Sequence, residues 1–189
     1  MNSGTPPAAL PLKRRVRKAW RALRRGVARV LGRSTDVHCV LCGQEARRFR
    51  PFGLVNPRLN AKCRACGSLE RHRMTWEFFR RFTDLLDGAP KRMLHFAPEP
   101  SMAVRIDAIP QLLHLATDLN SKNAKVHADI TRLPFPDGSF HCLCCSHVLE
   151  HVTDDHTAIR ECARVLRPDG WAVFVIPMHG DKTFEDPTV

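Results

Sequence analysis

Two cysteine pairs of identical internal spacing, Cys39-x-x-Cys42 and Cys63-x-x-Cys66, constrain this chain more than any other feature, because the twenty residues between them let both pairs close on one ion. Two thiolates three residues apart wrap one side of a tetrahedral metal, and two such knuckles fill the shell with no open position. A closed shell predicts a structural zinc held by Cys39, Cys42, Cys63 and Cys66. A redox dithiol is the competing use of C-x-x-C, but it has no need of a second matched pair. His38, beside Cys39, reads as a bystander. The intervening GQEARRFRPFGLVNPRLNAK is poor in aliphatics and carries turns at Pro51-Phe52-Gly53 and Asn56-Pro57. It predicts a short hairpin-like knuckle whose folding free energy comes mostly from the ion, on the order of 10 kcal/mol.

Charge is divided sharply along the 189 residues. Residues 1–35 carry ten Lys/Arg and no acid, residues 36–83 ten against four, and residues 84–189 ten against fifteen, so the net +11 splits into +10, +6 and −5. Any attraction to nucleic acid or anionic lipid therefore belongs to the first third. No run approaches the roughly 18 apolar residues of a spanning helix, and no export signal is visible. Cys142, Cys144 and Cys145 crowd into one apolar run, which fits a reducing cytoplasm better than a disulfide scaffold.

The segments fall into an order. Residues 1–11 are a proline-rich lead expected to be disordered. Over 12–33, Leu12, Val16, Trp20, Leu23, Val27, Val30 and Leu31 recur at helical spacing among arginines and lysines, predicting a basic amphipathic helix suited to an anionic membrane surface, to nucleic acid or to its own body. The cysteine module spans 36–68 and a connecting helix with Ser68 as N-cap lies within 69–90. From 91 to 189 the pattern alternates strands at 92–96, 112–117, 125–127, 140–146 and 171–176 with helices at 100–108 and 154–166. Strands apolar on both faces, separated by helices, predict an α/β fold with a Rossmann-like, doubly wound, mainly parallel sheet of about five strands.

The ordered set C-x-x-C, RPFG, C-x-x-C-GSLERHR, LHFAPEP, TDL, LPFPDGSF, CSHVLEHV and RVLRPDGW, over residues 38–187, resembles the class I S-adenosylmethionine-dependent methyltransferases, in a subgroup with a zinc-ribbon-like front end. The resemblance implies a strand order of 3-2-1-4-5 and S-adenosylmethionine bound outside the carboxyl ends of the strands, where that order reverses. It implies that Phe96, Ala97 and Glu99 form the loop after the first strand, with Glu99 toward the methionine amine. Asp118 and Leu119 would serve the ribose, Asp129 and Ile130 the adenine, and Ser146 the methyl-transfer side, with His147 as base and Glu150 or His151 as alternates. One departure stands out: the usual glycine-rich loop is replaced by His95-Phe96-Ala97-Pro98-Glu99-Pro100, which has no glycine to let backbone approach a ligand.

His147-Val-Leu-Glu150-His151 also spells an H-x-x-E-H zinc-peptidase signature, disfavoured because it directly follows a buried strand and only 38 residues remain after it. Because the methyltransferase fold normally continues for two more strands, a C-terminally incomplete domain or a partner chain covering the edge strand is expected. The rival functional reading is a non-catalytic zinc module for nucleic acid or protein joined to a degenerate cofactor half.

Overall fold

A computed structural model describes residues 37–122 and 124–177. The expected lead at 1–11, the basic helix at 12–33 and the chain after Met178 lie outside them. The cysteine segment forms two small antiparallel ladders, β1 (Val37–His38) with β2 (Glu45–Ala46), and β3 (Arg50–Phe52) with β4 (Arg58–Lys62). Helix α1 (Glu70–Phe82) follows. Then come β5 (Lys91–Phe96), α2 (Pro100–Asp107), β6 (Leu112–Asp118), β7 (Val126–His127), β8 (Phe140–Ser146), a 3-10 turn at Leu149–His151, α3 (Asp155–Val165) and β9 (Leu166–Val175).

The five later strands form one parallel sheet of order β7-β6-β5-β8-β9, which is 3-2-1-4-5 in the sheet's own count. Order reverses between β5 and β8, as the fold class predicts. β5 and β8 are central and almost wholly buried. Met93, Cys142 and Cys144 turn to one face, under Trp76 and Phe79 of α1 and Met102 and Ile106 of α2. Leu94, Phe96, Leu143 and Cys145 turn to the other, under Ala158, Cys162 and Val165 of α3. Alternation along each strand thus feeds two cores.

Three local features sharpen or revise the expectations. The N-cap of α1 is Leu69, not Ser68; a leucine side chain accepts no hydrogen bond, and the Leu69 N–H instead reaches the Nδ1 of His72, 3.3 Å away. The helix stops at Phe82 because the Thr83 hydroxyl bonds back to the Phe79 carbonyl at 2.8 Å and also accepts the Leu85 N–H, competing with the next helical turn. Pro168-Asp169-Gly170, which precedes the strand expected at 171–176, lies inside β9 as a register shift, with Phe140 opposite Leu166 but Cys142 opposite Trp171.

The cysteine segment is not a free satellite. Cys39, Leu41, Phe49 and Cys63 are buried in the same cluster as Trp76, Phe79 and Met93. Among the described residues, no helix is long and apolar enough to cross a membrane.

Candidate functional site

Each cysteine pair closes the same knuckle. Gly43 N–H reaches the Cys39 carbonyl at 2.7 Å and Gly67 N–H the Cys63 carbonyl at 3.0 Å, while Cys39 N–H bonds Gln44 O and Cys63 N–H bonds Ser68 O, both at 2.8 Å. Gly43 and Gly67 have φ of 73° and 75°, a left-handed conformation that explains why glycine follows the second cysteine of each pair. The four sulfurs lie within 4.8 Å of one another, with Cys39–Cys66 and Cys42–Cys63 both at 3.8 Å. All four are free thiols, and zinc bound tetrahedrally at about 2.3 Å sets its sulfurs roughly 3.8 Å apart. The donor set therefore fits a closed zinc shell. Burial raises the Cys39 thiol, but the Ser68 hydroxyl and the N–H groups of Cys42 and Leu41 outweigh it and bring the thiol down to about 7. Burial and neighbouring sulfurs push Cys42 and Cys63 up, as expected where four thiolates cannot share a volume without a cation.

At the carboxyl end of the sheet, register brings the expected cofactor residues to one edge. Phe96 is level with Thr117 of β6 and Cys145 of β8, so the next residues, Ala97, Asp118 and Ser146, stand side by side where strand order reverses. Ala97 has φ of 42° and His147 φ of 54°. Left-handed backbone at non-glycine residues costs about 1–2 kcal/mol each, and here it occurs at the mouths of both central strands, a recurrent mark of functional sites. Ala97 thus adopts the backbone that a glycine would take freely, which is how the loop dispenses with glycine. Its N–H is held by Thr117 O at 2.8 Å.

Asp118 ends β6 half-buried, and its Oδ1 accepts the N–H groups of Asn120 and Ser121 at 2.8 and 2.7 Å. Oδ2 has no hydrogen bond among the described residues. Leu119 is 60% exposed. Asp129 is exposed, and its Oδ1 accepts the Thr131 N–H and hydroxyl, both at 2.8 Å, which hold its pKa below the usual range. The Ala128 N–H ties this loop to Asp118 O at 3.3 Å. The side chains of Phe96, at the end of β5, and of Ile130 are buried with Leu133, Phe140 and Leu143. Ser146 is 8% exposed. His147 Nδ1 lies 3.1 Å from Glu150 Oε1, an arrangement that places the proton on Nδ1 and leaves Nε2 as the basic nitrogen. The H-x-x-E-H run forms only a 3-10 turn over Leu149–His151, so its histidines are not one helical turn apart. Among the described residues the four cysteines are the only clustered metal-ligand set.

Three devices escaped sequence reasoning. Arg164 on α3 donates to Leu133 O at 3.0 Å, Phe135 O at 2.8 Å and Asp137 Oδ1 at 2.7 Å, while Glu161 accepts the Leu133 N–H at 2.8 Å. This clamp fixes the loop after Ile130. The spacing E-x-x-R in a helix is an ordinary ion pair, so nothing in the sequence marks it. His72 and Arg71 on α1 approach Glu99, His72 Nε2 at 2.9 Å. Finally, His95 Nδ1 meets His114 Nε2 at 3.2 Å, and His114 Nδ1 meets Asp107 Oδ1 at 2.9 Å.

The buried imidazoles predict an acid-sensitive fold. Burial, with His114 beside it, lowers His95 to about 3, and burial also lowers His114 despite Asp107. A histidine that stays neutral when folded but titrates near 6.5 when unfolded contributes stability that is complete above about pH 6.5 and falls toward the folded value, at up to ~1.4 kcal/mol per pH unit. Urea unfolding should lose about 2 kcal/mol between pH 7 and pH 5, with His95→Asn flattening the slope. Equal midpoints at both pH values would refute it.

A family described as a methyltransferase domain matches residues 88–174. The uncharacterized methyltransferase YcgJ of Bacillus subtilis is 30% identical over 95 residues, covering 48% of this chain and 38% of that protein. A demethylmenaquinone methyltransferase of Mycolicibacterium gilvum is 42% identical over 100 residues, covering 51% and 43%. The crystal structure of YcgJ superposes with a TM-score of 0.40 at 26% identity, over 46% of this chain and 44% of that one. The chain spans less than half the length of these curated relatives. Residues 88–174 thus match a methyltransferase domain in sequence, and the five-stranded parallel sheet built over them is a Rossmann-like fold.

Proposed function

We propose that this chain binds S-adenosylmethionine at the carboxyl edge of β5, β6 and β8, transfers its methyl group to an acceptor, and holds a structural zinc in the four-cysteine cluster. The observation that carries the proposal is the alignment of Ala97, Asp118 and Ser146 at the point where strand order reverses, with left-handed backbone at Ala97 and His147. Asp118, through Oδ2, is the acceptor for ribose hydroxyls. Glu99 serves the methionine amine and Asp129 the adenine edge, and Ile130 backs that side from within the core. The cofactor supplies an electrophilic methyl on a sulfonium, so the protein's part is to position donor and acceptor. His147, oriented by Glu150, is the base for an acceptor that carries a proton.

Calorimetric titration of the purified chain with S-adenosylhomocysteine tests the reading. Micromolar binding is expected, and none in a folded, zinc-loaded protein would overturn it.

A second reading, a zinc module that binds nucleic acid or protein, draws on the loop between β3 and β4. Leu54 and Val55 stand exposed there and Leu59 on β4, and Arg58 and Lys62 lie over the ring of Phe52. The same titration separates the two, because this reading expects no binding.

A further inference from the structure

The segments Gly67-Ser-Leu-Glu-Arg-His-Arg73 and His95-Phe-Ala-Pro-Glu-Pro100 meet in space, and the contacts between them connect the cysteine cluster to the loop after β5. Ser68 is fully buried. Its hydroxyl lies 3.1 Å from Cys66 Sγ and 3.4 Å from Cys39 Sγ. Its carbonyl accepts the Cys63 N–H and Arg73 Nη1, both at 2.8 Å, while Arg73 Nη2 donates to Ala61 O at 2.9 Å. The start of α1 is thereby fastened to the second knuckle and to β4.

From that same turn Arg71 and His72 reach across to Glu99. His72 is 6% exposed; its Nδ1 accepts the Leu69 N–H, which turns Nε2 toward Glu99 Oε1 at 2.9 Å. Arg71 Nε lies 3.7 Å from the same oxygen. Both nitrogens are buried and make no well-directed hydrogen bond among the described residues; because Nδ1 accepts the Leu69 N–H, the His72 proton sits on Nε2 and meets the carboxylate off its N–H axis, while Arg71 brings the formal positive charge. Burial raises the Glu99 pKa, but His72, the backbone N–H of Glu99 itself and His95 together outweigh it, and the group sits below the usual carboxylate range. Glu99 is also the N-cap of α2, its carbonyl accepting Met102 N–H and Ala103 N–H, both at 2.9 Å. Whatever moves Glu99 moves the start of α2 with it.

We propose that Arg71 and His72 are positioning residues for Glu99, and that through Ser68 and the first turn of α1 the occupancy of the four-cysteine cluster sets the conformation of the loop after β5. This rests on the reading of Glu99 as a cofactor-binding residue. The path is short: only Gly67 to Glu70 separate Cys66 from Arg71, and the turn is held at both ends. A metal that fixes Cys39 and Cys66 fixes Ser68, and with it the direction from which His72 meets Glu99. Coupling carried by one rigid turn between two sites is expected to change affinity on the order of tenfold.

The test uses the full chain, with S-adenosylhomocysteine as ligand and amide exchange at Met102 and Ala103 as a ligand-free readout. His72→Phe is expected to keep its zinc, weaken ligand binding about tenfold and speed exchange at both amides, while His72→Gln, which retains a donor, restores most of both. In a Glu99→Gln background His72→Phe should add no further loss, since the residue acts through that carboxylate. Chelation of the wild type should speed the same two amides. Unchanged exchange after both His72→Phe and chelation, or losses from His72→Phe and Glu99→Gln that simply add, would overturn the proposal. Should the wild type fail to bind the ligand, the cofactor reading falls and the exchange result alone decides the coupling. If His72→Phe does not fold, Arg71→Gln and His72→Gln carry the comparison under the same criteria.

Discussion

Replacing Cys63 with serine is expected to lower bound zinc below half an equivalent and to destabilise the whole described chain, not the cysteine segment alone. A structural zinc contributes on the order of 10 kcal/mol in small metal-folded peptides, and loss of one thiolate from a closed shell forfeits much of it. The wider reach follows from packing. Leu41 and Phe49 share one buried cluster with Trp76, Phe79 and Met93, and Arg73 binds Ala61 O and Ser68 O from α1. Collapse of the knuckles would therefore expose the face of α1 and the underside of β5. Metal analysis with urea unfolding followed at Trp76 and Trp171 measures this. A full equivalent of zinc and an unmoved midpoint would remove the metal from the account. A transition confined to residues 37–68 would contradict the shared core.

Asp118 gives the second large effect. Asp118→Ala should weaken S-adenosylhomocysteine binding roughly 10- to 100-fold, the range for losing hydrogen bonds to a charged group. Alanine also abandons the Asn120 and Ser121 N–H groups, so that variant alone cannot separate a ligand role from a turn role. Asp118→Asn can. Its Oδ1 still serves both N–H groups, whereas its NH2 cannot accept a hydroxyl proton. Similar ligand losses in both variants, with the stability of Asp118→Asn near wild type, are expected. Wild-type affinity in Asp118→Asn would reduce Asp118 to a turn residue.

Much of the fold was legible because its signals are local and repeated. Strands apolar on both faces and separated by helices can be stable only in a covered parallel sheet, and the observed β5, β6, β7 and β8 begin or end within two residues of their expected bounds. Strand β9 was harder, since Pro168-Asp169-Gly170 reads as a turn yet sits within a strand that changes register. Gly170 is needed there because a Cβ would lie 3.0 Å from the carbonyl oxygens of Arg167 and His141, and that crowding depends on β8, which no local pattern reveals. Ser68 misled for a similar reason: a serine before a helix is ordinarily a cap, but two sulfurs from distant segments claim its hydroxyl.

The candidate site divides along the same line. Cysteine spacing alone determined the metal-type cluster, because a three-residue separation carries its own geometry. Apolar runs alternating with helices indicated the parallel sheet, and the resemblance supplied its strand order and the edge where Ala97, Asp118 and Ser146 would stand. Only tertiary structure decided that Ile130 and Phe96 point into the core, that Asp129 is bound to Thr131, that His95 pairs with His114, and that Arg71 and His72 face Glu99. Each of these joins residues brought together by packing or by a turn's side-chain geometry, and the period of a strand or helix says which face a residue takes but not what stands opposite.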